Sequence, residues 1–147
     1  MATNPKIKQG VLNRVRASIK FSDVPELNVS ASYLAKEGIE ITFQGNIVEP
    51  LPTMTGIVQS PQPYMMAQAK VHLVRSQALA AQFKARYEKD GVLGDCRLYT
   101  DSSTFGDFDL SNASISNCGD MTFAGGDPGL LITLTGIYYT NSDMWDL

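Results

Sequence analysis

The side chain best suited to acid–base catalysis near neutral pH is the one histidine of the sequence, His72. A Ser-His-Asp or Cys-His site would have to include it, because histidine is the residue whose charge normally changes between pH 5 and 8. His72 stands in the strand-like segment AKVHLVR, between the apolar residues Val71 and Leu73. This setting favours a structural or interface histidine over a catalytic one.

Two carboxylates stand close together in the Asp-Phe-Asp segment formed by Asp107 and Asp109. They would share one face of a strand and could serve a metal ion or an acid/base pair. No third carboxylate or histidine follows at ligand spacing, which favours a solvated acidic face. The segment GGDPG at 125–129 lacks the Lys-Ser/Thr pair of a phosphate-binding loop. We therefore predict no metal site, no cofactor and no enzymatic activity.

Three aromatic residues near the end of the sequence, Tyr138, Tyr139 and Trp145, could stack on a sugar or a base. Their surroundings are acidic, which opposes the binding of a polyanion. Packing in the core or between subunits is one interpretation. The alternative is a monomeric β-sandwich module that binds a sugar, a peptide or another ligand through these rings.

The two cysteines, Cys96 and Cys118, belong to no C-x-x-C pair, so a zinc ribbon and a disulfide framework both lack support. Two free thiols in a reducing compartment are the favoured interpretation. The spacing leaves open whether the two cysteines contact each other or a neighbouring subunit.

Charge is distributed unevenly along the chain. Lys and Arg number 12 against 15 Asp and Glu, for a net charge of −3. Residues 1–20 carry five basic and no acidic residues, whereas seven Asp and no basic residue follow Arg97. This polarity suits a head-to-tail assembly, in which one end of a subunit meets the opposite end of the next.

Composition is typical of one globular domain over residues 1–147, with 44% apolar residues and no apolar run of the length that spans a bilayer. Charged residues are only 18% of the chain, below the ~25% of ordinary soluble domains. A surface largely covered by neighbours would account for this. The first ten residues, MATNPKIKQG, show no signal peptide, so we expect the protein to stay where it is made.

Alternation of apolar and polar residues dominates the first third of the sequence. It predicts one strand over Val11–Phe21, with a basic face. After a break at Pro25, alternation resumes over Leu27–Leu34 and over Ile39–Gln44. We expect these last two segments to pair as a hairpin over Asn28–Gln44, with one apolar face and one small, polar face.

The segment Gly45–Thr55 contains Pro50 and Pro52 and shows no sustained period, so we expect an extended loop, 45–55. A second strand pair, TGIVQ and MAQAKVHLVR, follows it. The sequence predicts one helix from the N-cap Ser76 to Asp90. Its apolar stripe would consist of Leu79, Phe83 and Tyr87.

Four further strands are predicted, at Leu93–Tyr99, Phe108–Asn117, Met121–Ala124 and Leu130–Thr140. Short strands in this number with a single helix indicate a mainly β (α+β) domain, a small β-sandwich or barrel with one flanking helix.

The order of these elements resembles that of the tail tube proteins of contractile-tailed bacteriophages. The resemblance is carried by two segments, RVRASIKFSDVPELNVSASYLAKEGIEITFQG and TGIVQSPQPYMMAQAKVHLVRSQALAAQF. In the second, a strand that ends in VRSQALA passes directly into the helix, as it does in that family.

The resemblance implies a structural protein of the virion, assembled in the host cytoplasm, whose hexameric rings stack into the inner tube of a phage tail or of a related tail-derived machine. DNA would pass through the tube without specific binding during genome ejection. Each subunit would contribute strands to a ring-wide β-barrel that lines the lumen. The implied partners are other copies of the chain and the sheath, baseplate and tail terminator proteins, with no membrane partner.

Two sets of candidate site residues follow when the resemblance is combined with the polar face of the predicted hairpin and with the uneven charge of the chain. Candidates for lining the lumen are the polar residues of the predicted hairpin: Asn28, Ser30, Ser32, Glu40, Thr42 and Gln44. Candidates for contacts between subunits are Arg14, Arg16, Lys20, Pro50, Leu51, Pro52, Asp143 and Trp145. The N-terminal arm, residues 1–13, and the loop 45–55 are expected to contact the adjacent ring.

Overall fold

The computed structural model of the chain describes residues 10–13, 15–100, 105–119, 125–126 and 128–144. Within these ranges lie eight β-strands and one α-helix. In chain order they are β1 (Ser18–Phe21), β2 (Leu34–Gln44), β3 (Val48–Pro52), β4 (Ile57–Pro61), β5 (Tyr64–Val74), α1 (Ala78–Lys89), β6 (Val92–Tyr99), β7 (Phe108–Cys118) and β8 (Gly129–Tyr139). Two short 3-10 helices, Pro25–Leu27 and Ala31–Tyr33, precede β2.

Six of the strands form one antiparallel sheet in the order β1-β6-β7-β8-β5-β2. This sheet curls into a half-barrel, while β3 and β4 pair with each other in a separate two-stranded sheet. The short β1 and the long β2 are therefore the edge strands of the main sheet. The predicted class, a mainly β domain with one flanking helix, is confirmed.

The hydrophobic core joins the inner face of the main sheet to α1. Alternate residues of β5 are buried, as the period of a strand requires, and they include Ala69 and Val71. From α1, Phe83 is fully buried, and its ring meets the ring of Phe21 edge-on at 6.2 Å between centroids. The flanking helix thus closes the core by inserting one large aromatic side chain.

The predicted helix is present, and its apolar stripe packs as expected. Leu79 is buried with Phe83, and Tyr87 packs against the same cluster. The N-cap, however, is Gln77 rather than Ser76, and its side chain makes no capping hydrogen bond. In the described part of the chain, no helix has the length and apolar character needed to span a bilayer.

The first strand is shorter than predicted, because Ser18–Phe21 are the only residues of Val11–Phe21 that lie in a sheet among those that the structure describes there, 11–13 and 15–21. The chain turns at Asn13, whose side-chain Oδ1 accepts a hydrogen bond from the Val15 N–H at 3.2 Å. Ladder pairing to β6 begins only at Ser18. With no partner strand, Val11 and Val15 remain 98% and 70% exposed.

The predicted hairpin Asn28–Gln44 is wrong. Its first half contains the second 3-10 helix, Ala31–Tyr33, and one isolated bridge from Val29 to Ile19, and the first 3-10 helix, Pro25–Leu27, ends just before it. Asn and Ser side chains in this segment compete with a regular ladder by bonding locally: Asn28 Oδ1 accepts from the Phe21 N–H at 2.8 Å. The second half is part of β2, which pairs with β5 instead.

The segment 45–55 is a strand and a turn rather than an irregular loop. Its residues Val48–Pro52 are β3, paired with β4, so TGIVQ pairs with β3 and not with MAQAKVHLVR. The strands predicted around β6, β7 and β8 are present within a few residues of the expected bounds. The strand predicted at Met121–Ala124 lies outside the described residues.

Candidate functional site

The outer face of the sheet is a polar surface four strands wide. Residues paired in an antiparallel sheet share a face, so the register defines rows across β2, β5, β8 and β7. One row is Thr42, Gln68, Thr135 and Ser114, and the next is Glu40, Lys70, Thr133 and Asn117. A third row is Gln44, Met66, Ile137 and Ser111. We call these three rows the polar sheet face.

The polar sheet face carries almost no net charge. Its rows contain one acid, Glu40, and one base, Lys70, which stand directly opposite each other on β2 and β5. Opposite charges at such a position attract each other and neutralise the face locally. Of the other members, Met66 and Ile137 are apolar and Thr133 is buried at 6% exposure. The rest are hydroxyl and amide side chains, which offer hydrogen bonds to water without attracting phosphate strongly.

Half of the predicted lumen set lies on this surface. Glu40, Thr42 and Gln44 are exposed and alternate with partly buried residues along β2. The other three candidates, Asn28, Ser30 and Ser32, are elsewhere, because their segment is not a strand paired to β2. Ser30 and Ser32 are exposed, and their hydroxyls lie 3.0 Å apart.

Sequence reasoning missed the other three quarters of the polar sheet face. The signal was present as alternation within β5, where the half-buried Gln68 and Lys70 separate buried residues. In β8 it was weaker, because Thr135 is half-buried but Thr133 is itself buried at 6% exposure. Recognising one surface would have required knowing that β5 lies between β2 and β8, which is a long-range pairing.

The residues considered for catalysis are not arranged as a catalytic group. In the described ranges no three His, Cys, Asp or Glu side chains are grouped as metal ligands. His72 pairs with Leu131 across the sheet, and its Nε2 atom is buried without a hydrogen-bond partner in the part of the chain that the structure describes.

The Asp-Phe-Asp segment holds an ion pair. The Arg97 guanidinium donates two hydrogen bonds to Asp109, from Nε to Oδ1 at 2.6 Å and from a terminal nitrogen to Oδ2 at 3.2 Å. The Asp109 carboxylate raises the pKa of Arg97 through these hydrogen bonds and through its charge. Asp109 is therefore engaged within the sheet, between β7 and β6.

The predicted inter-subunit residues lie on separate exposed elements. Arg16 is exposed before β1, and the Lys20 ammonium stands 5.0 Å from the centre of the Tyr99 ring. Pro50, Leu51 and Pro52 are exposed on β3, and Asp143 is exposed after β8. Arg14 and Trp145 lie outside the described residues, as do residues 1–9 of the predicted N-terminal arm.

The β3–β4 hairpin, Val48–Pro61, projects from the domain, and we call it the arm. All of β3 and most of β4 are exposed, including the large apolar residues Val48, Leu51, Ile57 and Val58. The base of the arm is held by Asn141, whose Nδ2 donates to the carbonyls of Ile47 and Gln62 at 2.8 Å each. An exposed apolar element of this size indicates an interaction site.

A groove with a volume of about 760 Å³ opens between the two edges of the half-barrel, and we call it the mouth groove. Its apolar lining includes Leu34, Ile39, Ile41, Phe43, Leu98 and Phe105. The ring of Phe43 lies 6.0 Å from that of Phe108 and 5.1 Å from that of Tyr138, and Phe105 lies 5.4 Å from Phe108.

The aromatic platform expected of a binding module is not formed by Tyr138 and Tyr139. Neighbouring residues of a strand point to opposite faces. Tyr138 packs against Phe43 and Phe108 on the inner side, whereas Tyr139 pairs with Tyr64 and is exposed. The two rings therefore cannot stack on one ligand.

Both cysteines are free thiols in different environments. Burial, followed by the nearby charges of Asp95 and Asp109, raises the pKa of Cys96 from 9.0 to about 12. The folded state therefore favours the neutral thiol. The contribution of the neutral Cys96 thiol to the free energy of unfolding is complete below about pH 9 and is lost as the pH rises toward about 12.

We expect Cys96 to resist a thiol-specific reagent in the folded chain at pH 8, because a buried neutral thiol is a poor nucleophile. Titration with an aromatic disulfide should detect at most one thiol in buffer, Cys118, and two in urea. The Cys96→Ser variant should show the same number of reactive thiols as the parent in buffer and one fewer than the parent in urea. Rapid reaction of two thiols in the folded parent would contradict the buried placement of Cys96.

The sequence matches no known protein family and no curated protein. The structure is similar to a solved chain from the cryo-EM structure of the anti-feeding prophage cap, described as the tube terminating cap. The TM-score is 0.52 at 12% sequence identity, and the match covers 93% of each chain. The chain thus shares its fold, over nearly its full length, with a structural component of a tail-derived machine.

Proposed function

We propose that this chain is a structural subunit that assembles with itself into stacked hexameric rings, forming the inner tube of a phage tail or tail-derived machine. The observation that carries the proposal is the polar sheet face, which is four strands wide, nearly uncharged and bordered by a long edge strand. Such a surface suits the wall of a conduit for DNA.

The edge strand β2 supports closure of the sheet around a ring. It is 11 residues long and is paired on one side only, to β5, among the described residues. A long unpaired edge exposes backbone donors and acceptors that readily pair with another chain. When sheets from successive subunits join into a barrel, the edges disappear and the polar sheet faces become one continuous surface.

The chemistry of that surface supports passage without binding. DNA is held mainly by cationic side chains that displace its counterions. The polar sheet face has one cation in its three rows, Lys70, and Glu40 stands opposite it. DNA could therefore move along the wall without being retained, while the other faces of the subunit contact the sheath and the end proteins of the tail.

The structural relative favours a second candidate, a cap that ends a tube, since its title describes a tube terminating cap. A cap and a tube subunit would both form rings from this fold. They differ in whether rings add to one another, because a cap must stop the stacking that a tube subunit continues.

Assembly state separates these candidates. We expect the purified chain to form rings and tubes in negative-stain images, with a sedimentation coefficient that increases with protein concentration. Single rings at every concentration would favour the cap. A species of about 16.0 kDa across the full concentration range would contradict both candidates and favour a monomeric binding module.

A further inference from the structure

We infer that the mouth groove is the receptor for the arm of a second copy of this chain, an inference that rests on the proposed self-assembly. The arm has no partner element within its own chain among the described residues, and none of its residues lines the groove. Each chain therefore carries a protruding apolar element and an apolar recess at different places.

The two faces of the arm differ in chemistry, and this selects the face that enters the groove. The register pairs Pro52 with Ile57 and Val48 with Pro61, which makes one face almost entirely apolar. The other face pairs Leu51 with Val58 and includes the charged residue Glu49. The Val48 and Ile57 face enters the groove, because burial of apolar surface is the main source of affinity.

The prolines of β3 determine how the arm can dock. The Thr53 N–H donates to the Gly56 carbonyl at 2.7 Å, so the odd-numbered residues of β3 turn their N–H groups toward β4. Pro50 and Pro52 consequently occupy two of the three outward positions of β3, which leaves the Val48 N–H as its one outward donor. The arm therefore docks through side chains packed in a recess and not by adding β3 to a sheet.

The groove is complementary to such a ligand. Its aliphatic walls, Ile39 and Ile41, and its aromatic residues Phe43 and Phe105 offer surfaces on which Ile and Pro side chains pack well. The charges at the rim are of both signs: Lys36 and Glu37 line the groove, and Arg16 and Asp107 line an adjoining hollow. Apolar contact, not charge, is therefore what the groove offers to the arm. With the apolar face inserted, the carboxylate of Glu49 lies on the opposite face of the arm, so docking does not bury its charge.

Docking of the arm of one copy in the mouth groove of another can be repeated from copy to copy without limit. Arm and groove are different surfaces, so each docked copy leaves one arm and one groove available for further copies. The clamp from Asn141 to Ile47 and Gln62 fixes the direction in which the arm leaves its own domain. One groove is small for an independent interface, and several arms acting together across a ring supply the avidity.

Ile57 and Val58 provide a matched test, because they are adjacent on β4, are 60% and 54% exposed, and point to opposite faces of the arm. We expect Ile57→Asp to raise the concentration needed for half-assembly by about 30-fold, the size of a hot-spot loss, and Val58→Asp by less than about threefold. Circular dichroism should show both variants folded. Equal effects, or no effect of Ile57→Asp, would overturn the inference.

A cross-link locates the contact directly. One chain carries Ile57→Cys and the other Phe105→Cys, both with Cys118→Ser, so that buried Cys96 is the one native thiol. We expect mild oxidation of the mixture to give a covalent heterodimer, whereas Val58→Cys in place of Ile57→Cys gives little. Absence of the heterodimer from assembled material would refute the groove as receptor.

The remaining outcomes are also decisive. If the parent chain never assembles, the proposed function and the groove inference both fail. If it assembles normally while the Ile57→Asp variant and the cross-link give no signal, only the groove inference fails. Protection of the Phe105→Cys thiol in the isolated monomer would mean that another occupant fills the groove, which would also overturn the inference.

Discussion

Replacement of Phe83 by alanine is expected to lower the free energy of unfolding by about 3–5 kcal/mol, a large part of the ~5–15 kcal/mol that stabilises a domain. Phe83 is 0% exposed, and its ring joins α1 to Phe21 of β1. Truncation removes that contact and leaves a cavity that packed neighbours fill only in part. Urea unfolding followed by circular dichroism measures the loss.

The matched control is Phe105→Ala, which deletes the same atoms from a side chain that is 72% exposed. Its expected cost is about 1 kcal/mol or less, because the ring forfeits little burial and one aromatic contact with Phe108. A similar loss of stability in the two variants would contradict the packing of α1 onto the core through Phe83. Because Phe105 lines the mouth groove, the control should still impair assembly.

The second large effect is expected on the polar sheet face. Gln68 and Thr135 are paired across β5 and β8, and under the proposed function their replacement by Arg should make the tube wall retain DNA. Both positions are half-buried, and arginine can extend its charged end toward solvent. In a ring, each subunit would add two cations to the same band, where they can act together on one DNA segment.

Co-sedimentation of assembled tubes with short duplex DNA measures this retention. We expect no DNA binding by the parent and clear binding by the variant at 50 mM salt. If six to ten phosphates are contacted, the affinity of the variant for DNA should fall by about 10³–10⁵ between 50 and 200 mM salt. Gln82→Arg with Ala85→Arg adds the same charge to the exposed side of α1 and serves as the control. Equal binding by both variants would mean that the polar sheet face does not line the channel.

Local patterns predicted the elements whose structure depends on local signals. The strict alternation in β5 and the apolar stripe of α1 specify a face and a period, and both survive in the fold. Alternation misled where side chains compete with the ladder, as in the segment around Asn28, which bonds to the Phe21 N–H. It also misled before Ser18, where the pattern continues but no strand is available to pair.

The candidate site was only partly predictable for the same reason. Glu40, Thr42 and Gln44 could be identified because their own strand shows the pattern. Their neighbours on β5 and β8 could not be assigned to the same surface, since pairing between distant segments is not encoded in either segment alone. The first strand of the arm, β3, was misread as a loop because prolines usually exclude a strand, although prolines at alternate positions are compatible with a sheet edge.

The same two prolines bear on how the protein survives before it assembles. Under the proposed self-assembly, a newly made subunit would keep an apolar, exposed hairpin until enough copies accumulate, and such segments commonly start fibrous aggregation. Pro50 and Pro52 remove two backbone N–H donors from the outer edge of β3. Copies of the hairpin therefore cannot form a regular hydrogen-bonded ladder through that edge. The β3 sequence thus supplies apolar side chains for association and at the same time limits irreversible aggregation. A pool of monomeric subunits can therefore remain able to assemble in order.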